Sequence, residues 1–313
     1  MKNLLFTIVA FTTSFISYSQ SVFQEDILQG EKLIEAYFTP IAKSFGASLN
    51  NGWYNTAKPH KLGGFDVTFT LNTVIIPNSA ESFKIKDSFG NIFTSNAAEA
   101  STIFGSNEET KMTYINSNTG IEYEFDMPGG LKIPAFPLPM IQAGIGLIKK
   151  TAIDIRYMPM LNISNNININ LLGFGVKHDL LQWIPLMGDA IPISLSIQGG
   201  YTSLNTELKI SDQDVELKTN ATTINLIASK KILMITGYAG IGYNSATTTF
   251  TSQTKFNLDG IIFEEKIETS FESNKNLRTN IGLRLNLTII TIQADYTFSE
   301  YPTTTIGIGV SLR

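Results

Sequence analysis

The chain has 313 residues, 43% of them hydrophobic, no cysteine and a formal net charge of −4. The hydrophobic share excludes a disordered polymer, and the small negative charge argues against the basic face of a nucleic-acid-binding protein. Without cysteine the chain has no disulfide framework, no cysteine-ligated metal and no lipid-anchored cysteine. We therefore expect no nucleic acid among its partners, and no cofactor.

The first twenty residues, MKNLLFTIVAFTTSFISYSQ, are typical of a secretory signal. Lys2 supplies the positive start, Leu4 to Ile16 the apolar stretch, and Ser17-Tyr18-Ser19 a small-x-small cleavage site. The alternative is an anchoring helix, for which the apolar stretch is too short and too rich in Thr and Ser. We predict that residues 1–19 are removed on export.

Residues 20–64 are predicted to form a helical, plug-like segment that ends in a polar connector. Apolar residues recur at helical spacing on one face, among them Ile34, Phe38, Ile41 and Phe45. Pro40 predicts a break into two helices, because proline suits a first turn and not a helix interior. Gly46 is a plausible stop. The connector carries Trp53 and Tyr54, which we expect, with Trp183, at membrane interfaces.

Beyond Gly64 the period changes to two, and residues 65–313 predict an all-β transmembrane barrel. Phe65, Val67 and Phe69 alternate with polar neighbours. The pattern recurs in nine further segments of about ten residues, the length of transmembrane β-strands: 140–147, 151–157, 166–177, 191–201, 222–228, 231–243, 278–287, 289–298 and 303–312. We expect an antiparallel barrel of about 10–14 strands.

Short and long connections alternate along this region. Turns are predicted at 149–150, 229–231 and 286–288, and long polar excursions at 202–221 and 250–277. Outer-membrane barrels have short turns on the periplasmic side and long loops outside. Counting strands from the 149–150 turn places all three turns on one side, which agrees with that topology.

The competing fold is a soluble β-sandwich, which also alternates. Its strands are usually nearer five or six residues, and no second apolar helix set exists to cover the apolar face seen here. Residues 77–139 stay open, because three prolines limit regular ladders there. Within them, 110–126 predicts either a hairpin or an external excursion.

Several motifs resemble a Bacteroidota outer-membrane β-barrel family that is a domain of unknown function. They are GWYNTAKPHKLGGFDV, GLIKKTAIDIRYMP, GFGVKHDLLQWIP and ISLSIQGGYT, and the resemblance covers nearly the whole mature chain. It implies an envelope location and a barrel-like fold, and brings no reaction or ligand. The helical start is also loosely similar in architecture to long-chain fatty-acid outer-membrane channels. One departure is the end Ser311-Leu312-Arg313, where such barrels often finish in an aromatic residue.

A Gly-x-Gly pattern repeats on several predicted strands. We single out Gly144, Gly146, Gly173, Gly175, Gly240 and Gly242 as contacts for a plug. If the larger neighbours meet lipid, these glycines line the lumen and permit close backbone approach. They then receive the 25–45 helical region, with Phe38 near Gly144 or Gly240. The alternative is that the glycines only relieve crowding where the wall bends.

The same register points four charged residues into the lumen: Asp154, Arg156, Arg284 and Asp295. Charges that face lipid at mid-membrane cost roughly 2–4 kcal/mol for Arg or Lys, so the lumen is their favourable side. Two interpretations stay open. The arginines bind an anionic solute, or they pair structurally with Asp154 and Asp295.

No catalytic residue and no metal site is predicted. His60 and His178 are far apart in the chain, and no Gly-x-Ser-x-Gly elbow, Walker loop or paired-His zinc helix is present. We expect an outer-membrane protein in contact with outer-membrane lipid, with protein partners unknown. Three functions stay open: passage of small hydrophobic or anionic solutes, a structural or adhesive role with a plugged lumen, and a barrel-borne lipid enzyme.

Overall fold

A computed structural model describes residues 23–86, 89, 92–116, 119–164, 167–184, 192–210, 213–258 and 261–312. The predicted signal sequence, residues 1–19, lies outside these residues. One helix, α1 (Phe23–Asn50), precedes fifteen strands. The strands are β1 (Phe65–Ile75), β2 (Ser82–Lys84), β3 (Phe93–Thr94), β4 (Glu99–Ser101), β5 (Thr110–Ile115), β6 (Glu122–Met127), β7 (Ala135–Leu147), β8 (Thr151–Ser164), β9 (Ile167–Asp179), β10 (Ser194–Ile210), β11 (Gln213–Ile232), β12 (Ile235–Leu258), β13 (Ile261–Leu287), β14 (Ile290–Phe298) and β15 (Thr303–Leu312).

Ten of these strands close into an antiparallel barrel, in the order β1, β15, β14, β13, β12, β11, β10, β9, β8, β7. The first and last strands complete the wall, with Phe65 opposite Leu312 and Val74 opposite Thr303. The predicted fold is confirmed, and its strand number is ten. Each wall strand pairs with a neighbour on both sides, as a sheet with an apolar outer face requires.

The outer face of the wall is apolar. Alternate residues such as Phe69, Ile155 and Ile241 are exposed, while their neighbours are buried in the bore, the interior of the barrel. A sheet exposes such a face stably only to hydrocarbon, because in water it costs about 25 cal/mol per Å². In the described part of the chain, no helix is long and apolar enough to span a membrane.

The two ends of the barrel differ. At the turn end, tight connections at 148–150, 233–234 and 288–289 join the strands. The second connection was predicted at 229–231, a few residues early. At the opposite end, the tall end, β10 and β11 stay paired as far as Ile210–Gln213, and β12 and β13 run far beyond β14. The predicted excursions at 202–221 and 250–277 are therefore wrong as loops: they are extensions of paired strands. On these extensions the described outward residues are polar, such as Glu216 and Lys218, while Val215 and Leu217 face inward, so the apolar outer face of a membrane strand ends there.

Residues 76–134 form an insertion on the tall end, between β1 and β7. They contain a two-stranded sheet of β2 and β4 and a three-stranded sheet in the order β3, β5, β6. Of the two interpretations of 110–126, the hairpin is confirmed: β5 pairs with β6 from Thr110–Met127 to Ile115–Glu122. It belongs to the insertion and not to the barrel wall.

Helix α1 runs unbroken through Pro40 and Gly46, so the predicted break and the predicted stop are both wrong. Packing on each side of Pro40 compensates for the hydrogen bond that proline cannot make. Phe38 lies against Phe250 at a ring distance of 5.3 Å, and Phe45 meets Phe136 edge-to-face at the same distance. The helix descends from the tall end and finishes inside the bore.

Candidate functional site: the filled bore

The connector, residues 51–64, descends through the turn-end half of the bore from the end of α1 to the start of β1. Trp53 is 1% exposed and Ala57 is fully buried. The expectation that Trp53 and Tyr54 lie at a membrane interface is wrong, because both side chains are enclosed by the wall. Trp183 is 63% exposed at the turn end. An aromatic ring with a polar tip suits a polar lumen as well as a membrane interface, so the residue type alone did not distinguish these two positions.

Arg156 of β8 holds the junction between α1 and the connector. Its guanidinium donates to the carbonyl oxygens of Leu49 at 2.8 Å and Asn51 at 2.7 Å, and it lies 3.7 Å from the ring centre of Trp53. The last carbonyls of a helix have no partner within the helix and carry partial negative charge. A buried cation that donates to them, and stacks on an aromatic face, caps the helix.

Asn51 is bonded from several sides of the wall. Asn72 of β1 donates from its amide nitrogen to the carbonyl oxygens of Ser48 and Asn51, at 2.7 and 3.1 Å. Thr297 of β14 donates to the Asn51 side-chain oxygen at 2.8 Å, and Arg278 of β13 donates to the same oxygen. These directional bonds fix the connector in one position.

Further along the connector, successive residues form hydrogen bonds with different strands of the wall. Arg284 donates to the Asn55 side-chain oxygen at 2.6 Å, and the Asn55 amide donates to Gln293. The Ala57 amide donates to Ser229 Oγ at 2.9 Å, and His60 Nε2 lies 3.0 Å from Asp66 Oδ1. The connector is thus bonded to β1, β8, β11, β13 and β14.

The tall-end half of the bore has a different chemistry. Here apolar inward residues of the wall pack around α1 in one continuous cluster, with buried threonines such as Thr219 and Thr248 among them. Its members include Leu33, Phe38, Phe45, Leu49, Leu138, Met140, Met158, Leu171, Leu204, Leu217, Phe250 and Phe271. The insertion joins the same cluster through Phe89, Phe93, Met112 and Tyr114.

Tyr37 ties the helix to the insertion. Its hydroxyl donates to the Gly129 carbonyl oxygen at 2.9 Å, and its own carbonyl accepts from the Ile103 amide at 3.2 Å. Burial raises the pKa of Tyr37 to about 12, so the hydroxyl remains a donor at physiological pH. The helix, the insertion and the tall strands therefore form a single packed body.

A model of the family of unknown function DUF6588 matches residues 1–312. The chain belongs to DUF6588. No curated protein matches it. In fold, this DUF6588 barrel resembles outer-membrane proteins of known structure. The translocator domain of the autotransporter NalP from Neisseria meningitidis is 10% identical, with a TM-score of 0.26, and the match covers 94% of this chain and 100% of that one.

Two other solved structures are similar to the DUF6588 barrel at the same level. Omp33 of Acinetobacter baumannii is 9% identical, with a TM-score of 0.28 and coverage of 80% and 98%. The transport unit of the autotransporter AIDA-I from Escherichia coli is 9% identical, with a TM-score of 0.30 and coverage of 88% and 99%. Likenesses this distant carry no argument about function.

The structure places the four charged residues predicted for the lumen of the DUF6588 barrel in its bore. Arg156 and Asp154 do not bond directly: Gln142 lies between them, accepting from Arg156 Nε at 2.9 Å and donating to Asp154 at 3.5 Å. Asp295 accepts from the Tyr238 hydroxyl at 2.9 Å. Both arginines are nearly fully buried and donate to the N-terminal segment.

The six glycines predicted as plug contacts face different neighbours. A Cβ on Gly175 would meet the ring of Trp53, and one on Gly240 would meet the Tyr54 hydroxyl. A Cβ on Gly146 would meet the backbone of residues 60 and 61. The other three, Gly144, Gly173 and Gly242, face wall side chains. Three of the six glycines approach the connector and none meets Phe38, which lies higher, against Phe250.

The pattern singled out neither Asn51 nor Asn72, which carry much of this network. Asn51 lies in a connector without a period, and although Asn72 shares the polar face of β1 with Asp66, the register does not reveal its partners. Among the described residues no group of His, Asp or Glu is arranged to hold a metal ion.

Proposed function

We propose that this DUF6588 chain is an outer-membrane β-barrel whose bore is closed by its own N-terminal segment. The observation that carries the proposal is the connector. Trp53 and Ala57 are buried at the level where three arginines donate to residues 49–55. A steady aqueous path through that level requires the connector to leave, with the loss of these charge-assisted bonds.

The location follows from the apolar outer band and an N-terminal export signal in residues 1–19. In the proposed orientation the turn end faces the periplasm and the tall end faces outward. Helix α1 then begins on the outer side, and the connector reaches the periplasmic rim. The partner of the band is outer-membrane lipid. We also propose no enzymatic role, since the Asn51 and Asn55 side chains of the connector bond to the wall.

The plugged, structural role is favoured over passage of anions. An anion site needs cationic groups directed at a free volume, whereas Arg156, Arg278 and Arg284 each donate to a carbonyl or side-chain amide oxygen of the N-terminal segment. The second candidate is gated passage of small hydrophobic solutes. The apolar inner face of the tall-end half favours it. The weak likeness to fatty-acid channels remains a prediction.

Conductance across a planar lipid bilayer tests the proposal. We expect the wild-type barrel to give no steady conductance, and Arg156→Ala to give transient openings as the connector loosens. Arg156→Lys, which keeps the charge, serves as the matched control and is expected to open less often. A stable ohmic channel in the wild type would overturn the plugged role.

A further inference from the structure

One seam of the wall is incompletely bonded. The ladder between β7 and β8 runs from Leu147–Thr151 only as far as Ile141–Tyr157. Beyond it β7 continues to Ala135 and stays paired with β1, and β8 continues to Ser164, paired with β9 across register shifts at 158–161 and 162–164. No β7–β8 pair lies on the tall-end side of Ile141–Tyr157, and we call that stretch the seam.

The sequence accounts for the end of the ladder. The Ile76 amide donates to the Pro134 carbonyl oxygen, and the Gly146 amide donates to Gly64, so even-numbered residues of β7 turn their backbone groups toward β1. Odd-numbered residues of β7 therefore turn theirs toward β8. Continuing the register, the next bonded position sets Pro139 opposite Pro159. Neither has an N–H group, so this position can form no ladder bond.

Both sides of the seam are apolar. Residues 135–141 read AFPLPMI and residues 157–161 read YMPML, with no charged residue in either. Met140 and Met158 are buried on the inner side, and Met160 is 57% exposed on the outer side. Methionine is flexible and fits irregular apolar partners. The inner residues belong to the apolar cluster around α1.

The seam also lies at the right height to meet lipid. Pro139 stands opposite Leu71, one step above the exposed Phe69–Ile141 pair. Pro139 lies about eight residues from the turn end, which is roughly 20 Å along the barrel axis after allowing for strand tilt. It is therefore within the apolar band of about 25 Å. The outer apolar surface thus continues into the seam.

We propose that the seam binds the acyl chain of a membrane lipid, which enters sideways between β7 and β8 and contacts Met140 and Met158. A lipid tail is the occupant that fits, because the flanking residues carry no charge and continue the lipid-facing band. Binding there gives the apolar half of the bore access to the membrane without an aqueous channel. The inference rests on the membrane location proposed above and not on the plug.

Photocrosslinking tests the inference. The full chain is reconstituted in vesicles of phosphatidylethanolamine and phosphatidylglycerol that contain a phospholipid with a diazirine in its acyl chain. Labelled positions are then mapped by mass spectrometry. We expect several-fold more label on 137–141 and 157–161 than on the lipid-facing residues of β11 and β12, such as Ile224 and Ile241.

The double variant Pro139→Val with Pro159→Val restores two N–H donors. It is expected to reduce seam labelling to the level of β11 and β12, whereas Pro302→Val, a control outside the seam, leaves it unchanged. Equal labelling of seam and control face in the wild type would overturn the inference but leave the membrane location standing. Absence of label on both faces would overturn the location itself. The labelling map of the wild-type protein tests the inference even if the double variant does not fold.

Discussion

The two halves of the bore hold one N-terminal segment by different physical means. In the turn-end half, Arg156, Asn72 and Arg284 fix the connector through directional hydrogen bonds. In the tall-end half, side chains such as Phe45 and Leu217 enclose the helix in an apolar cluster. Hydrogen bonds require one geometry, while apolar packing tolerates substitutions of similar volume. The turn-end half therefore sets the position of the segment, and the tall-end half supplies much of its binding energy.

The largest expected effect lies in the apolar half. Phe45→Ala removes a ring that is 3% exposed and packs against Phe136. We expect the free energy of unfolding to fall by about 3–5 kcal/mol, as for other buried Phe→Ala changes. Unfolding by guanidinium in detergent micelles measures this change in the free energy of unfolding. Phe45→Leu, the control, is expected to lose less than half as much, and an equal loss would show that packing volume is not what matters there.

In the turn-end half, we expect stability to depend on charge and hydrogen bonding more than on side-chain volume. Arg156→Ala removes a donor of the buried Leu49 carbonyl oxygen and one of the two donors of the Asn51 carbonyl oxygen, which costs about 2–4 kcal/mol in unfolding free energy. Arg156→Met preserves the length and apolar stem, yet we expect nearly the same loss. The same titration distinguishes the halves: if Arg156→Met were tolerated as well as Phe45→Leu, the proposed difference between them would fail.

Neighbouring glycines on β10 give a smaller and sharper test of close approach. A Cβ on Gly200 would meet the Trp53 ring, whereas one on Gly199 meets nothing within 4 Å. We expect Gly200→Ala to cost about 1–3 kcal/mol through overpacking. Gly199→Ala is expected to be near neutral. Thermal unfolding followed by circular dichroism compares the two variants. Similar melting temperatures would contradict the position of Trp53 in the bore.

The smallest effect is expected at the rim. Lys43 and Glu300 form an ion pair of 2.7 Å between α1 and the β14–β15 connection, with the lysine side chain 19% and the glutamate 40% exposed. Exposed pairs contribute less than about 1 kcal/mol. Lys43→Ala should therefore shift the unfolding midpoint only slightly, and less at high salt. A loss as large as that of Arg156→Ala would mean that the rim, and not the bore, holds the helix.

The sequence predicted the membrane-level wall well and the bore poorly. Strands β14 and β15 lie within a residue of their predicted bounds, because a wall with one face in lipid and one in the bore alternates strictly. Above that level the outward residues become polar, so the tall extensions resemble polar loops in the sequence. Inside the bore, placement depends on contacts between distant residues such as Asn51 and Arg278, which periodicity does not encode.

The central claim is that the connector lies inside the wall, and a disulfide tests it most directly, since the chain has no cysteine of its own. Thr56 Oγ1 and Ser229 Oγ are 3.3 Å apart across the connector and β11. In isolated membranes, the pair Thr56→Cys with Ser229→Cys should form a disulfide in nearly every molecule, while Thr56→Cys with Ser299→Cys should form none. Free, maleimide-reactive thiols in the first pair would contradict a bore filled by residues 51–64.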